Sequence, residues 1–384
     1  MFYAEPYIRL RVLSVRECLL LTQGTLVSFH EKLKQYDLGK EHPFRGDRFV
    51  NAMNFFTNHG LFDNPQVALF QPEPASVEDL LRVHDKKYVE LIFRLAHENE
   101  PYDCETPVSA DILEAALLIS GSAIECGKAV VERRAGRAVS VGGGHHHAGR
   151  SYGGGFCLFN DVAVLVEYLR DKHGLERFLI LVYDVHFGDG TSSIYYADPT
   201  VLYVSLHQDP RTIFPGTGFT WQTGEGKGEG YNVNVPLPPR TGDDTYLHAL
   251  NEILVPMAEE FRPDIIIANG GSDSHFADML GSLGLTANGL FRVTQLIRKT
   301  ADTVCDGRLV LVPGSGYNPK VLPLCWYSLI AGVAGLEFDE KEPCEPPTEP
   351  AGSRGIVEST VDELKKLLRK HWACFGGFAV SGVQ

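Results

Sequence analysis

The sequence predicts an α/β protein: a single open domain with a mostly parallel sheet flanked by helices. Three observations carry this. Short, nearly continuous apolar runs recur along the chain, as strands covered on both faces require. Amphipathic stretches of helical length separate them, and strand–helix alternation means parallel construction. The polar residues suited to chemistry come directly after the strand-like runs, where an open α/β sheet binds its ligands.

In chain order, Ile112–Glu132 reads as a helix and Arg137–Val141 as the first clear strand. Asp161–His173 is a helix with Asn160 as its N-cap and Gly174 as its stop. Phe178–Tyr183 and Val201–Leu206 are strands. Tyr246–Arg262 is a helix in which Pro256 is expected to make a kink or break. Asp264–Ala268 is a strand. Thr286 caps Ala287–Asp306, although Gly289 weakens that helix start. Leu309–Val312 is the last clear strand. The Pro- and Glu-rich segment Asp339–Gly355 reads as a solvated excursion, because only one helix-sized piece follows it. That piece, 356–373, is expected to open on a capping box at Thr360-Val-Asp-Glu363 and to end its helix at His371. With no internal repeat, residues 1–384 are read as one domain.

Composition narrows the function. A chain of 384 residues with 44% hydrophobic and 22% charged residues is globular rather than disordered. It carries 35 basic and 49 acidic residues, a formal net charge of −14. Such a surface disfavours direct nucleic-acid binding and attracts cationic substrates or tails. No apolar run approaches a membrane span. Glu5, Arg9, Arg11, Arg16 and Glu17 interrupt the stretch where a signal peptide needs an apolar core. The 8 cysteines include no CxxC pair, so a zinc ribbon or a disulfide scaffold is not expected. A cytoplasmic enzyme with reduced thiols is the expectation.

Five loops, each following a strand, gather the chemistry. GGGHHHAGRSYGGGFC follows the first strand, and Asp184-Val-His186-Phe-Gly-Asp189 follows the second. His207 and Ile213-Phe-Pro-Gly-Thr-Gly218 follow the third, NGGSDSHFAD the fourth and PGSGYNP the fifth. Asp184 and His186 are two apart at a strand end, so their side chains share one side. With Asp273 from a neighbouring strand they make a three-ligand site with an open position, suited to Zn²⁺, with Fe²⁺ or Co²⁺ feasible. Alone, an Asp-x-His pair signals little; the agreement of five loops gives it weight. Two adjacent histidines of the tract His145-His146-His147 suit acid–base work on metal-activated water, with Asp189 orienting one of them. Tyr317 would donate its phenol to a developing oxyanion, against the bland reading of a half-buried tyrosine. Phe156 and Phe214 either wall an apolar channel or belong to the core.

At these residues the chain resembles the histone deacetylase superfamily of metal-dependent amidohydrolases, whose fold is shared with arginases. The resemblance runs from about Tyr36 to about Leu329 and includes His42-Pro-Phe-Arg-Gly-Asp-Arg48; acetoin-utilisation-type and class I-like deacetylases are nearest in flavour. It implies a central sheet of about eight strands with zinc at its carboxyl edge. It also implies that His146 and His147 are the tandem histidines, with His145 extra, and that Asp184, His186 and Asp273 bind zinc. It assigns Tyr317 to the transition state and Asp189 to the second histidine. Phe156 and Phe214, with Gly155 before the first, then line an acyl-lysine tunnel. Asp103 binds the substrate backbone, Leu280 falls at the tunnel rim, and Arg48 belongs to an internal channel. Val182 and Phe187 depart from the family pattern, which has Asp and His there. Val182 removes a carboxylate that partners the first tandem histidine and helps hold a buried monovalent cation. A neutral His146, proton transfer through His147 and weak or absent dependence on K⁺ are therefore expected.

These readings point to a zinc-dependent deacylase acting on acetyl-lysine in a peptide or protein. An acetylated polyamine or similar cationic amine is the alternative substrate. One rival is a binuclear manganese ureohydrolase of the same fold, which needs an Asp-x-His-x-Asp cluster; the next Asp after His186 is Asp189, one residue too far. Another is a protein that binds acyl-lysine without turnover. Nothing in the sequence sets the oligomeric state.

Overall fold

The computed structural model describes residues 21–376, so the reading of the first twenty residues lies outside it. Eight strands form one sheet in which every pairing is parallel. They are β1 (Leu21–Ser28), β2 (Val67–Phe70), β3 (Ala135–Ser140), β4 (Phe178–Val182), β5 (Val201–Gln208), β6 (Asn232–Leu237), β7 (Ile265–Gly271) and β8 (Leu309–Ser315). The order across the sheet is β2-β1-β3-β8-β7-β4-β5-β6. The chain leaves β4 towards β5 on one side and leaves β7 towards β8 on the other, although β4 and β7 are neighbours. Connections that diverge in this way open a crevice at the carboxyl ends of those two strands, which is where α/β sheets bind ligands.

Among the described residues, ten α-helices cover the sheet: α1 (Asp47–Asn58), α2 (Val77–Leu80), α3 (Lys86–Glu98), α4 (Ala110–Val131), α5 (Asp161–His173), α6 (Asp189–Tyr195), α7 (Asp243–Phe261), α8 (Ala287–Val304), α9 (Leu322–Ala334) and α10 (Ser353–Leu368). Helices α3, α4 and α5 pack side by side, and α1, α9, α8, α7 and α10 form a second run. Both α4 and α9 touch β1, β3 and β8, so the sheet is sandwiched between two helical layers. This double cover explains why β4 and β7 are buried along their whole length, β4 reading as an unbroken apolar run and β7 as one up to Ala268.

The five strands expected from sequence are all present with shifted ends. Three more were not foreseen, because β1 carries Gln23 and Gly24, β2 has 4 residues, and the edge strand β6 carries Asn232, Asn234 and Pro236. The Asn160 side chain accepts from Ala163 N at 2.9 Å to open α5, and Gly174 closes it with φ of 67°. The Thr286 hydroxyl accepts from Gly289 N at 2.9 Å. Two expectations are corrected. Pro256 does not break α7, whose flanking turns are held by buried Leu250, Ile253, Leu254, Met257 and Ala258. Thr360 does not begin the last helix, and the segment 356–373 is misplaced: α10 runs Ser353–Leu368, with the Thr360 hydroxyl donating to Ile356 O inside it. Val357, Val361, Leu364 and Leu368 make a buried helical stripe that starts before Thr360, so packing overrides the local capping signal. The 339–355 excursion is largely exposed, as expected, yet anchored where Glu342 meets His275 and Glu349 accepts from Thr245. No helix among the described residues is long and apolar enough to cross a membrane.

Candidate metal centre and active site

The crevice between β4 and β7 collects two carboxylates and one imidazole. Asp184 and His186 leave the end of β4, and the Asp184 Oδ1 turns the chain by accepting from His186 N at 2.9 Å. Asp273 reaches the same point from β7, through a turn in which Gly271 passes so close to Ser315 that a side chain would meet its carbonyl at 2.2 Å. One ligand atom from each of Asp184, His186 and Asp273 lies within 4.8 Å of the others, and all three residues are buried. His186 Nδ1 stands 3.2 Å from Asp184 Oδ1 and 3.5 Å from Asp273 Oδ2. That Asp273 oxygen is buried with no hydrogen-bond partner. Burial and repulsion by Asp184 push the Asp273 carboxyl well up. For Asp184, burial is outweighed by His146 and His186, which draw it down. His186 is pushed up to about 10 by the two carboxylates against the effect of burial. An orphaned carboxylate oxygen and an excess of buried negative charge fit a divalent cation.

The histidine tract is delivered by the loop after β3. Its backbone is fixed by Asp161 at the start of α5, which accepts from Gly144 N at 2.9 Å and His145 N at 2.7 Å. His146 and His147 face the metal centre with their Nε2 atoms 3.0 Å apart. His147 Nδ1 lies 2.7 Å from Asp189 Oδ1, so this ring has the carboxylate partner expected of it. His146 Nδ1 is buried without a partner. Burial, then the neighbouring His147, push His146 far below the usual histidine range and leave it neutral. The apolar Val182 is the last residue of β4, in register with Asn269 and Ser205. Asn269 is likewise buried with both side-chain polar atoms unpartnered. His145 turns away between Tyr36 and Phe44, and burial takes it down to about 3.

Tyr317 follows β8 and lines the cavity that holds His146, His147, Asp184 and His186. A cavity of about 300 Å³ leads out from there, lined by Glu105, Ile213 and Leu280 as well as Phe156 and Phe214. Phe214 is 51% exposed and its ring lies 5.0 Å from His147; the Phe156 ring lies 5.8 Å from Tyr317. Both rings therefore line the cavity, and Phe156 also packs against the core. Gly155 has φ of 51°, and a Cβ there would meet the His147 ring at 2.6 Å. Leu280 lines the same cavity and is 38% exposed. Arg48 is buried behind the site, where its guanidinium donates to the carbonyls of Gly314, Pro43 and Arg45. Burial lowers it to about 10. Asp103 does not line the channel: it is exposed and accepts from Glu105 N, and Glu105 faces the channel instead. Sequence reasoning missed Glu105, two residues from the residue it chose. It also missed Asp278, only five residues beyond Asp273 in the same loop.

Residues 42–333 match the histone deacetylase domain family. The chain is 36% identical over 359 residues to a probable deacetylase of Archaeoglobus fulgidus, covering 91% of this chain and 99% of that protein. It is 33% identical over 320 residues to the acetoin utilization protein AcuC of Bacillus subtilis, covering 81% and 82%. Among solved structures, the crystal structure of the HDA15 HD domain superposes with a TM-score of 0.82 at 26% identity, covering 92% of this chain and 97% of that one.

Proposed function

The chain belongs to the histone deacetylase family, and from that premise we propose that it is a zinc-dependent deacylase which hydrolyses the acetyl amide of lysine side chains in peptides or proteins. The observation that carries this is the meeting of Asp184, His186 and Asp273 beside the His147–Asp189 pair at the floor of an aromatic-walled channel. Asp184, His186 and Asp273 would hold a divalent cation, zinc in this reading with Fe²⁺ or Co²⁺ as alternatives, which would supply Lewis acidity to the acyl carbonyl and the attacking water.

The chain's own groups do the rest. Phe156 and Phe214 sheathe the methylene stem and keep water from it. His147, oriented by Asp189, takes the proton of the attacking water and returns it to the leaving amine. His146, neutral and 3.0 Å from His147, acts as a hydrogen-bond partner. Tyr317 donates its phenol to the oxyanion on the former carbonyl oxygen. Burial pushes that phenol well above the usual tyrosine range, so it keeps its proton. Because Asp189 is engaged by His147, it is not free to hold a second metal. Arg48 lies at the inner end of the site, where the family resemblance puts a channel. The cysteines among the described residues are free, which accords with the cytoplasmic location proposed here.

Glu105 in the channel lining and the net charge of −14 favour a second reading, an acetylated cationic amine such as an acetylpolyamine. One panel tests both: acetyl-lysine peptides, acetylpolyamines and longer acyl-lysines, assayed alongside metal analysis. Turnover of the peptides with one zinc per chain is expected. Two manganese per chain, or tight binding of the peptides without turnover, would overturn the proposal.

A further inference from the structure

The β7–β8 ladder ends at Gly271 and Ser315, and one further backbone bond joins Ser272 N to Ser315 O at 2.9 Å. Beyond that point the loop carrying Asp273 and the loop carrying Tyr317 are no longer paired as strands. Asp278 joins them. Its Oδ2 accepts from Tyr317 N at 2.7 Å, while its Oδ1 accepts from Leu280 N at 2.9 Å and Gly281 N at 3.2 Å. Asn318 adds a second tie, its side-chain amide donating to Ala277 O at 2.6 Å. The Tyr317 ring is flanked by Phe156, 5.8 Å away and nearly edge-on, and by the Arg48 guanidinium at 5.4 Å. Neither contact is a hydrogen bond to the phenol. Where the phenol points is therefore set through the backbone of residue 317.

We propose that Asp278 is a positioning residue that sets the Tyr317 phenol against the Asp184–His186–Asp273 cluster and, through its other oxygen, holds Leu280 at the channel rim. The inference rests on the oxyanion role given to Tyr317 above. The chemistry of the carboxylate suits the task. A deprotonated carboxylate is acceptor-only, and three N–H groups converge on it. An amide of the same shape keeps one acceptor but turns a donor towards one of those N–H groups. Asp278→Asn therefore breaks one hold and, by removing the negative charge, weakens the other with almost no change in volume, and displacement of a reacting group by about 1 Å costs up to about 10²-fold in rate.

The test is a double-mutant cycle of Asp278→Asn with Tyr317→Phe in the metal-loaded full chain, reading kcat, KM and bound metal. Asp278→Asn is expected to lower kcat by about tenfold or more while keeping its full metal content. In the Tyr317→Phe background the same change should lower kcat by less than about twofold, since the group it positions is gone, whereas a rise in KM from the freed Leu280 should appear in both backgrounds. Equal loss of kcat in the two backgrounds, wild-type kcat in Asp278→Asn, or loss of metal from it would overturn the inference. Wild-type kcat in Tyr317→Phe alone would overturn the prior reading of Tyr317 and is read separately. Should Asp278→Asn not fold, Asp278→Ser, which retains one acceptor, is run through the same cycle with the same outcomes.

Discussion

At Tyr317 the case for oxyanion stabilisation rests on a single O–H. Tyr317→Phe removes it and keeps the ring contact with Phe156, so kcat should fall by about 10²–10³-fold with little change in KM. Unaltered turnover would remove Tyr317 from the chemistry. Asp273→Ala should lose bound metal and activity together, because two protein ligands make too weak a site; a full metal equivalent retained by that variant would mean the third ligand lies elsewhere. Val182 is one of the two positions, with Phe187, that depart from the pattern the family resemblance implies. It is in register with Asn269, whose side-chain polar atoms are orphaned and which it cannot satisfy. A buried monovalent cation would lack a carboxylate here. Turnover in potassium chloride and in choline chloride at equal ionic strength should agree within about twofold, and Val182→Asp should introduce a dependence on potassium. A several-fold fall of the wild-type rate without potassium would contradict this.

At the scale of elements, the start of α5 holds the histidine loop in place. Asn160 caps the helix through Ala163 N and donates from its amide to Ala148 O and Thr191 Oγ1, both at 2.9 Å, while the next residue, Asp161, grips Gly144 and His145. One helix end therefore ties α5, the tract and α6 together. Asn160→Ala should cost about 1 kcal/mol for the cap and a further 1–3 kcal/mol for buried groups left unpaired, read as a lower urea midpoint with an unchanged slope. A midpoint equal to wild type would show that the loop does not depend on this cap. The same lesson runs the other way at α10, where a plausible capping box at Thr360 lies within a helix that the apolar stripe had already begun.

Across the whole molecule, burial makes folding sensitive to acid. His84 and His207 are both lowered to about 4 by burial, and each is fixed by hydrogen bonds. Their unfolded values lie near 6.5, so between those limits the unfolded chain binds more protons than the folded one. Stability is then complete above about pH 6.5 and is lost as pH falls, by about 3 kcal/mol for each histidine by pH 4. The thermal midpoint should drop over this window, and the drop should shrink in His207→Gln; a flat profile from pH 7 to 4.5 would contradict it. The net charge of −14 acts at longer range. The kcat/KM for a cationic acetylated peptide should fall as ionic strength rises from about 10 to 200 mM, and that for an uncharged substrate should not. Equal salt dependence for the two would show that the field does not steer the substrate.

Local chemistry and periodicity suffice, without coordinates, for the doubly covered parallel sheet, the caps of α5 and α8, and the candidate metal ligands Asp184, His186 and Asp273, each of which follows a strand end. A buried parallel strand must be apolar throughout, and ligands must follow strand ends. The strands β1, β2 and β6 escaped because they depart from that pattern: β1 carries Gln23 and Gly24, β2 has 4 residues, and β6 lies at the edge with Asn232, Asn234 and Pro236. What only the tertiary structure decided are relations between windows. The strand order places β4 beside β7, so that Asp184 and Asp273, 89 residues apart, meet at one candidate ion site. The turning of Glu105 rather than Asp103 into the channel and the bridge from Asp278 to Tyr317 depend on where separate loops meet. Side-chain direction at a loop crossing is set by packing over the whole sheet edge, and no local pattern encodes it.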